Sequence, residues 1–250
     1  MNNAAVIGHG IVGKATALAF GITKYYSRSA GNISLKDASN FRYLFICLPT
    51  PTVNGNCSTS DIQEIIGKIE GYGKKPLYII RSTVLPGTAN AIMEMAGMDR
   101  VVSNPEFLTE DIWEKDATRP DLVVVGANNR DYANEVKGIY DARFKYIEAQ
   151  VTDNVTAELT KYAFNTFYAT KVIFANQIYD VAKKVNASYD FIKQVMLPHK
   201  WVGSNHLDVH HKGYRGVGGK CLEKDLEAFA KFSGSQLLYH VNEINRNLKK

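Results

Sequence analysis

The sequence predicts an α/β fold, a doubly wound parallel sheet followed by an all-helical part with one long central helix. Three observations predict it. Short apolar runs alternate with helical stretches through the first 150 residues, a glycine-rich turn separates the first run from the first helix, and from Thr152 apolar residues recur at helical spacing. Residues 1–150 therefore read as a dinucleotide-binding domain and residues 151–250 as a helical domain.

Composition bounds the function classes. A chain of 250 residues has ample core for one large or two modest domains. Its net charge of +5 comes without a basic block, which suits anionic small molecules and gives poor support to nucleic-acid binding. No apolar run approaches the ~20 residues of a spanning helix, and no signal segment opens the chain. Cys47, Cys57 and Cys221 form an odd, scattered set without CxxC or zinc spacing, which points to a reducing compartment. The expectation is a cytoplasmic protein with no nucleic-acid or membrane partner.

Ala4-Ala5-Val6-Ile7 is the first strand and Lys14–Phe20 a small-residue helix, with Gly8-His9-Gly10-Ile11-Val12-Gly13 between them. In a strand, GxGxxG, helix setting the first glycine makes the turn. The second admits a pyrophosphate to the helix N-terminus, and the third lets helix pack on strand. This is the Rossmann-type fingerprint, and it makes Gly8, Gly10, Ile11, Val12 and Gly13 cofactor-binding candidates.

The second strand, Lys24–Arg28, should end on a carboxylate for the adenosine ribose. Ser27 stands there instead, followed by Arg28, a pair better suited to a 2′-phosphate. NAD and NADP both remain open. Further strands are Phe41–Leu48, Leu77–Ile80, Val101–Ser103, Leu122–Gly126 and Tyr146–Glu148, with helices at Asp61–Gly67 and Arg130–Tyr140. Polar motifs follow the strands, at the ligand-binding edge of such a sheet: Pro49-Thr50-Pro51, Arg81-Ser82-Thr83 and Asn104-Pro105-Glu106-Phe107-Leu108-Thr109-Glu110.

Val155, Leu159, Tyr162, Ala163, Phe167, Phe174, Ile178, Val181 and Val185 place one helix from an N-cap at Thr152 or Asp153 to about Val185. A rod of ~50 Å is too long for one small domain to bury, so a homodimer through it is expected. A short helix at Asp190–Met196 and a loop from Pro198 to Gly219 follow, then two helical stretches. His210-His211 suggests a metal pair, but adjacent residues do not face one ligand on a helix and no third ligand is evident, so no metal is expected.

The chemistry concentrates in Gly216-Val217-Gly218-Gly219-Lys220-Cys221-Leu222-Glu223-Lys224-Asp225. Glycines allow a tight turn and close approach to a ligand. Cys221 then opens a helix, whose N-terminus favours thiolate over thiol, and Lys220 and Lys224 push the same way. Asp225 lies one turn on, on the same face.

Taken in order, these motifs and Glu158-x-x-Lys161-Tyr162-x-x-Asn165 resemble the UDP-glucose/GDP-mannose dehydrogenases, whose members oxidise a sugar-nucleotide primary alcohol twice with two NAD. The resemblance implies a cysteine that forms a thiohemiacetal and then a thioester, here Cys221. It implies that Lys161 and Asn165 hold the oxyanion, that Asp225 and Thr83 bind a catalytic water, and that Glu106 is the base for thioester hydrolysis. Glu110 would shape the site on the cofactor side with Ser27, Arg28, Pro49, Thr50 and Thr83. Phe107, Leu108, Glu110, Lys161, Asn165, Arg215 and Gly218 would meet the sugar nucleotide.

Four departures stand out. The chain stops where the family's C-terminal UDP-binding domain would begin, so that domain is expected to be absent or supplied by a separate chain. The segment between the glycine turn and Leu48 is short. Trp201 and Leu122 occupy positions where arginine is common. A dehydrogenase of a smaller alcohol or aldehyde and a catalytically silent dinucleotide-binding assembly protein therefore stay as alternatives.

Overall fold

The computed structural model describes residues 1–203, 205–219 and 221–249. They form two compact units, residues 1–51 with 57–161, and residues 52–56 with 162–250.

The first unit begins with β1 (Ala4–Ile7), α1 (Ile11–Phe20), β2 (Tyr25–Tyr26), α2 (Leu35–Ala38) and β3 (Tyr43–Ile46). A ribbon of β4 (Thr52–Val53) and β5 (Asn56–Cys57) interrupts it. It continues through α3 (Ser60–Glu70), β6 (Leu77–Ile80), α4 (Thr88–Ala96), β7 (Val101–Ser103), α5 (Trp113–Thr118), β8 (Val124–Gly126), α6 (Arg130–Arg143) and β9 (Gln150–Thr152).

The seven-stranded sheet has the order β2-β1-β3-β6-β7-β8-β9. Every pair in it is parallel except β7 with β8, which meet antiparallel at Ser103 and Gly126. Successive strand residues point to opposite faces. Val6, Phe45 and Ile79 pack with Phe20, Val136 and Tyr140 on one face. Ile7, Ile46 and Ile80 pack with Ile62, Ile66 and Ile92 on the other. Both faces are covered, which is why the central strands read as unbroken apolar runs. Each such buried side chain is worth about 1.5–3 kcal/mol.

The last strand is not where the apolar run Tyr146–Glu148 predicted it. Helix α6 ends beside buried Phe144, and the chain needs the next residues to reach the sheet edge, so Gln150–Thr152 pairs with Val124–Gly126. An edge strand whose side chains are largely exposed carries no apolar signature.

In the second unit α7 (Asn154–Lys184), which begins in the first unit, is followed by α8 (Tyr189–Met196), the hairpin β10 (His210–His211) and β11 (Tyr214–Arg215), α9 (Leu222–Ser233) and α10 (Gln236–Leu248). Asp153 caps α7, its carboxylate accepting the Thr156 N–H at 2.9 Å and the Thr156 hydroxyl at 2.7 Å. At 31 residues α7 is about 46 Å long. The loop expected from Pro198 to Gly219 contains the β10–β11 hairpin, turned by Lys212 and Gly213 at positive φ.

The β4–β5 ribbon was not anticipated. Asn54 and Gly55 both have positive φ, as a two-residue type I′ hairpin requires. Thr52 Oγ1 donates to the Lys224 carbonyl at 2.9 Å and Lys231 Nζ to the Asn54 carbonyl at 3.0 Å, so residues 52–56 belong to the second unit. Among the described residues no helix is long and apolar enough to cross a membrane.

Candidate active site

Two glycines of the turn are required by close backbone approach, and the third leaves open space. Gly8 takes φ +96°, where a Cβ would lie 2.5 Å from the Cys47 carbonyl oxygen. A Cβ on Gly13 would lie 1.9 Å from the Gly8 oxygen, whereas one on Gly10 would meet nothing within 4 Å. Gly10 has no side chain to cap α1, so the N–H groups of Ile11, Val12 and Gly13 at its first turn suit a pyrophosphate. His9, between the glycines, stacks on Tyr25 at 3.7 Å.

At the end of β2, Arg28 forks onto Asp61 at 3.0 Å and Glu64 at 3.3 Å, both on α3. Ser27 precedes it in a turn closed by the Gly31 N–H. The loops after β3 and β6 are tied together. Thr50 Oγ1 donates to the Thr83 carbonyl at 2.7 Å and Ser82 Oγ to the Leu48 carbonyl at 2.6 Å, fixing the Pro49 turn against Thr83.

After β7 the chain delivers a buried ion pair. Lys161 Nζ lies 3.2 Å from Glu106, and both side chains are about nine-tenths buried. Glu106 also accepts the Leu108 N–H at 2.6 Å, and the Lys161 ammonium sits 5.4 Å from the centre of the Phe107 ring. Each charge offsets the desolvation of the other. Glu110, by contrast, is exposed, in a single 3-10 turn from Glu110 to Ile112.

Glu158, one turn before Lys161 on α7, has a role the sequence did not disclose. Its buried carboxylate accepts the N–H of Gly87 at 2.6 Å and of Ala89 at 2.9 Å, at the start of α4, and the Ser103 hydroxyl at 2.9 Å. Burial pushes its pKa up to about 7, against the pull of these donors. A small cavity lined by Ser82, Thr83, Ser103, Pro105, Glu158 and Lys161 adjoins it.

In the second unit Asp225, only 1% exposed, lies in the first turn of α9. Asn165 Nδ2 donates to one of its oxygens at 2.7 Å, and Lys224 Nζ reaches the other at 2.6 Å. Cys221 is the N-cap residue of that helix and is exposed, whereas Cys47 is buried and Cys57 half-buried. Lys220 lies outside the described residues.

Gly218 passes so close to the Tyr214 ring that a Cβ would lie 2.2 Å from it. Arg215 is turned onto α7, with Nε on the Asn176 side-chain oxygen at 3.0 Å and its other end on Asp180 at 2.7 Å. Trp201 is 80% exposed. Among the described residues no group of three His, Cys, Asp or Glu could hold a metal; His210 and His211 pack edge-on against Tyr179 and Tyr214.

Within each unit, then, sequence-distant candidates meet: Thr50 with Thr83, Glu106 with Lys161, Asn165 with Asp225. Residues 28–144 match the NAD binding domain of the UDP-glucose/GDP-mannose dehydrogenase family, and residues 155–247 match its central domain.

The chain belongs to that family.

A UDP-glucose 6-dehydrogenase of Rickettsia conorii is 35% identical over 204 residues, 79% of this chain and 46% of the relative. A GDP-mannose 6-dehydrogenase of Pseudomonas syringae pv. syringae is 32% identical over 208 residues, 76% of this chain and 46% of the relative. Among solved structures, a UDP-glucose dehydrogenase from the hyperthermophilic archaeon Pyrobaculum islandicum superposes with a TM-score of 0.82 at 26% identity, covering 97% of this chain and 68% of that one. The chain thus spans about half the length of the curated dehydrogenases it matches.

Proposed function

We propose that the chain carries the two-step oxidation of a nucleotide sugar, such as UDP-glucose, to its uronate. The observation that carries this is Cys221, an exposed thiol at the N-cap of α9, one turn before a buried carboxylate held by Asn165 and Lys224. A merely structural cysteine would be buried like Cys47.

Bound NAD supplies the hydride acceptor for both oxidations. In the first, the alcohol loses its hydroxyl proton to a base and its C6 hydride, giving an aldehyde. The Cys221 thiolate then adds to the aldehyde carbon, and the resulting alkoxide is held by the Lys161 ammonium and an Asn165 N–H. Loss of the second hydride leaves a thioester. Water oriented by Asp225 and Thr83 gives a proton to Glu106, attacks the thioester carbon, and releases carboxylate and thiol. Phe107, Leu108, Arg215 and Gly218 belong to substrate binding in this reading, with Glu110 at its edge. Three cysteines without a disulfide fit action in a reducing cytoplasm.

The test is reduced-cofactor formation with UDP-glucose, GDP-mannose and UDP-N-acetyl sugars, expected to give two NADH per sugar with at least one. No turnover by a chain that still binds NADH, with or without the C-terminal half of a relative added, would overturn the reading. Turnover seen only with that half added would keep the reading and show that the chemistry needs it.

NAD is the expected form, since the Arg28 guanidinium is already held by two carboxylates. Fluorescence titration is expected to show NADH binding about tenfold or more tighter than NADPH. Asp61→Asn with Glu64→Gln releases the arginine and should narrow that gap, and an unchanged ratio would remove Arg28 from cofactor selection.

A homodimer through α7 is supported by Phe167, Phe174, Val181 and Val185, all exposed at spacings of seven, seven and four. Phe174→Asp should convert a dimer to a monomer in sedimentation, and a wild-type monomer would sink this part.

A further inference from the structure

The loop that leads to Cys221 is held from the far end of the second unit. Asn245, on α10, has no exposed surface. Its side-chain oxygen accepts the Val217 N–H at 2.6 Å, and its Nδ2 donates to the Val217 carbonyl at 3.2 Å. One amide thus satisfies both backbone groups of one residue in the glycine turn.

The turn itself is bent around this clamp. Gly216 has φ +81°, and a Cβ there would lie 2.6 Å from the Asn245 oxygen. One helical turn further along α10, Lys249 Nζ pairs with Glu223 at 2.6 Å, in the first turn of α9. Helix α10 therefore grips the chain four residues before Cys221 and two residues after it. Val217, Leu226, Leu238 and Val241 fill the space between the helices.

We propose that Asn245 is a positioning residue for Cys221: by fixing the Val217 peptide it sets where the thiol stands at the N-terminus of α9. This rests on the reading of Cys221 as the nucleophile. A buried amide that paired both backbone groups of Val217 only for stability would leave the reactivity of the thiol four residues on untouched.

The test measures how fast Cys221 reacts with a dipyridyl disulfide, which reports thiols at low as well as neutral pH, with the modified peptide identified by mass spectrometry. Asn245→Leu, of similar volume and without polar atoms, is expected to slow this reaction about tenfold. Asn245→Asp supplies a pH signature. When protonated, its carboxyl both accepts and donates, repeating the two bonds; when ionised, it can only accept, and it faces the Val217 carbonyl oxygen. Relative to the parent chain at the same pH, its rate should match within about twofold near pH 5 and fall about tenfold near pH 8. Should the leucine variant not fold, the aspartate variant near pH 5 provides the folded reference. Rates at parent level in the aspartate variant at both pH values would overturn the proposal. A parent chain that reduces no NAD with any sugar nucleotide, yet whose Cys221 reactivity still follows position 245, would overturn the dehydrogenase reading and keep this one.

Discussion

Cys221→Ser is expected to cost about a thousandfold or more in overall turnover and to lower the yield from two NADH per sugar toward one. The first oxidation needs a base and a hydride acceptor but no nucleophile. The second starts from an aldehyde, which has no hydroxyl proton to lose until something has added to its carbon. A serine hydroxyl is far less acidic than a thiol, and the N-terminus of α9 does not bridge that difference. Loss of three decades corresponds to about 4 kcal/mol of transition-state stabilisation, the scale on which an activated nucleophile operates. The measurement is NADH formed per sugar in single-turnover and steady-state experiments. A serine variant that delivers two equivalents at the parent rate would remove the thioester from the mechanism.

Glu158 carries the second large effect, on stability. Its carboxylate serves three donors at once: two N–H groups at the start of α4 and the Ser103 hydroxyl at the end of β7. Glu158→Leu leaves all of them without this partner in a buried site, which should cost about 3 kcal/mol or more. For a chain of this size that is a fall in Tm of roughly 6–12 °C. Glu158→Gln keeps the shape but turns an amide N–H toward donors, with an expected cost of about 1–3 kcal/mol.

The pH dependence has a definite sign. With its pKa pushed up to about 7 from an ordinary 4.5, Glu158 keeps a proton in the folded chain that the unfolded chain has released. Its contribution is fully present below the unfolded value and is lost as pH rises through about 7. The amount is on the order of 3 kcal/mol. In urea titrations the stability gap between parent and Glu158→Gln should therefore be wider near pH 5 than near pH 8. A gap constant across that range would show that Glu158 titrates where an ordinary glutamate does.

Local patterns made much of the molecule legible. Strands buried on both faces, such as Leu44–Ile46 and Leu77–Ile80, cannot avoid being continuous apolar runs. The glycine turn needs Gly8 and Gly13 at fixed offsets, because each removes a different steric conflict, whereas Gly10 leaves open space at the start of α1. The helix from Asp153 announces itself through a cap and a long apolar period. Where an element is exposed or short, the signal fades. Strand β9 was misplaced by four residues, and the β4–β5 ribbon went unread although Asn54-Gly55 is a strong hairpin pair.

The sequence by itself determined the fold class, the main strands and helices and the family, and it named the candidate residues, since these depend on periodicity and on motifs contiguous along the chain. Only the tertiary structure decided their partners. That Lys161 sits on Glu106, Asp225 on Asn165, Arg28 on Asp61, Glu158 on the start of α4 and Asn245 on Val217 follows from buried polar groups finding complementary ones far away in the chain. No spacing rule encodes such pairs, because the distance in sequence between two groups that meet in a core is set by the path of the whole chain.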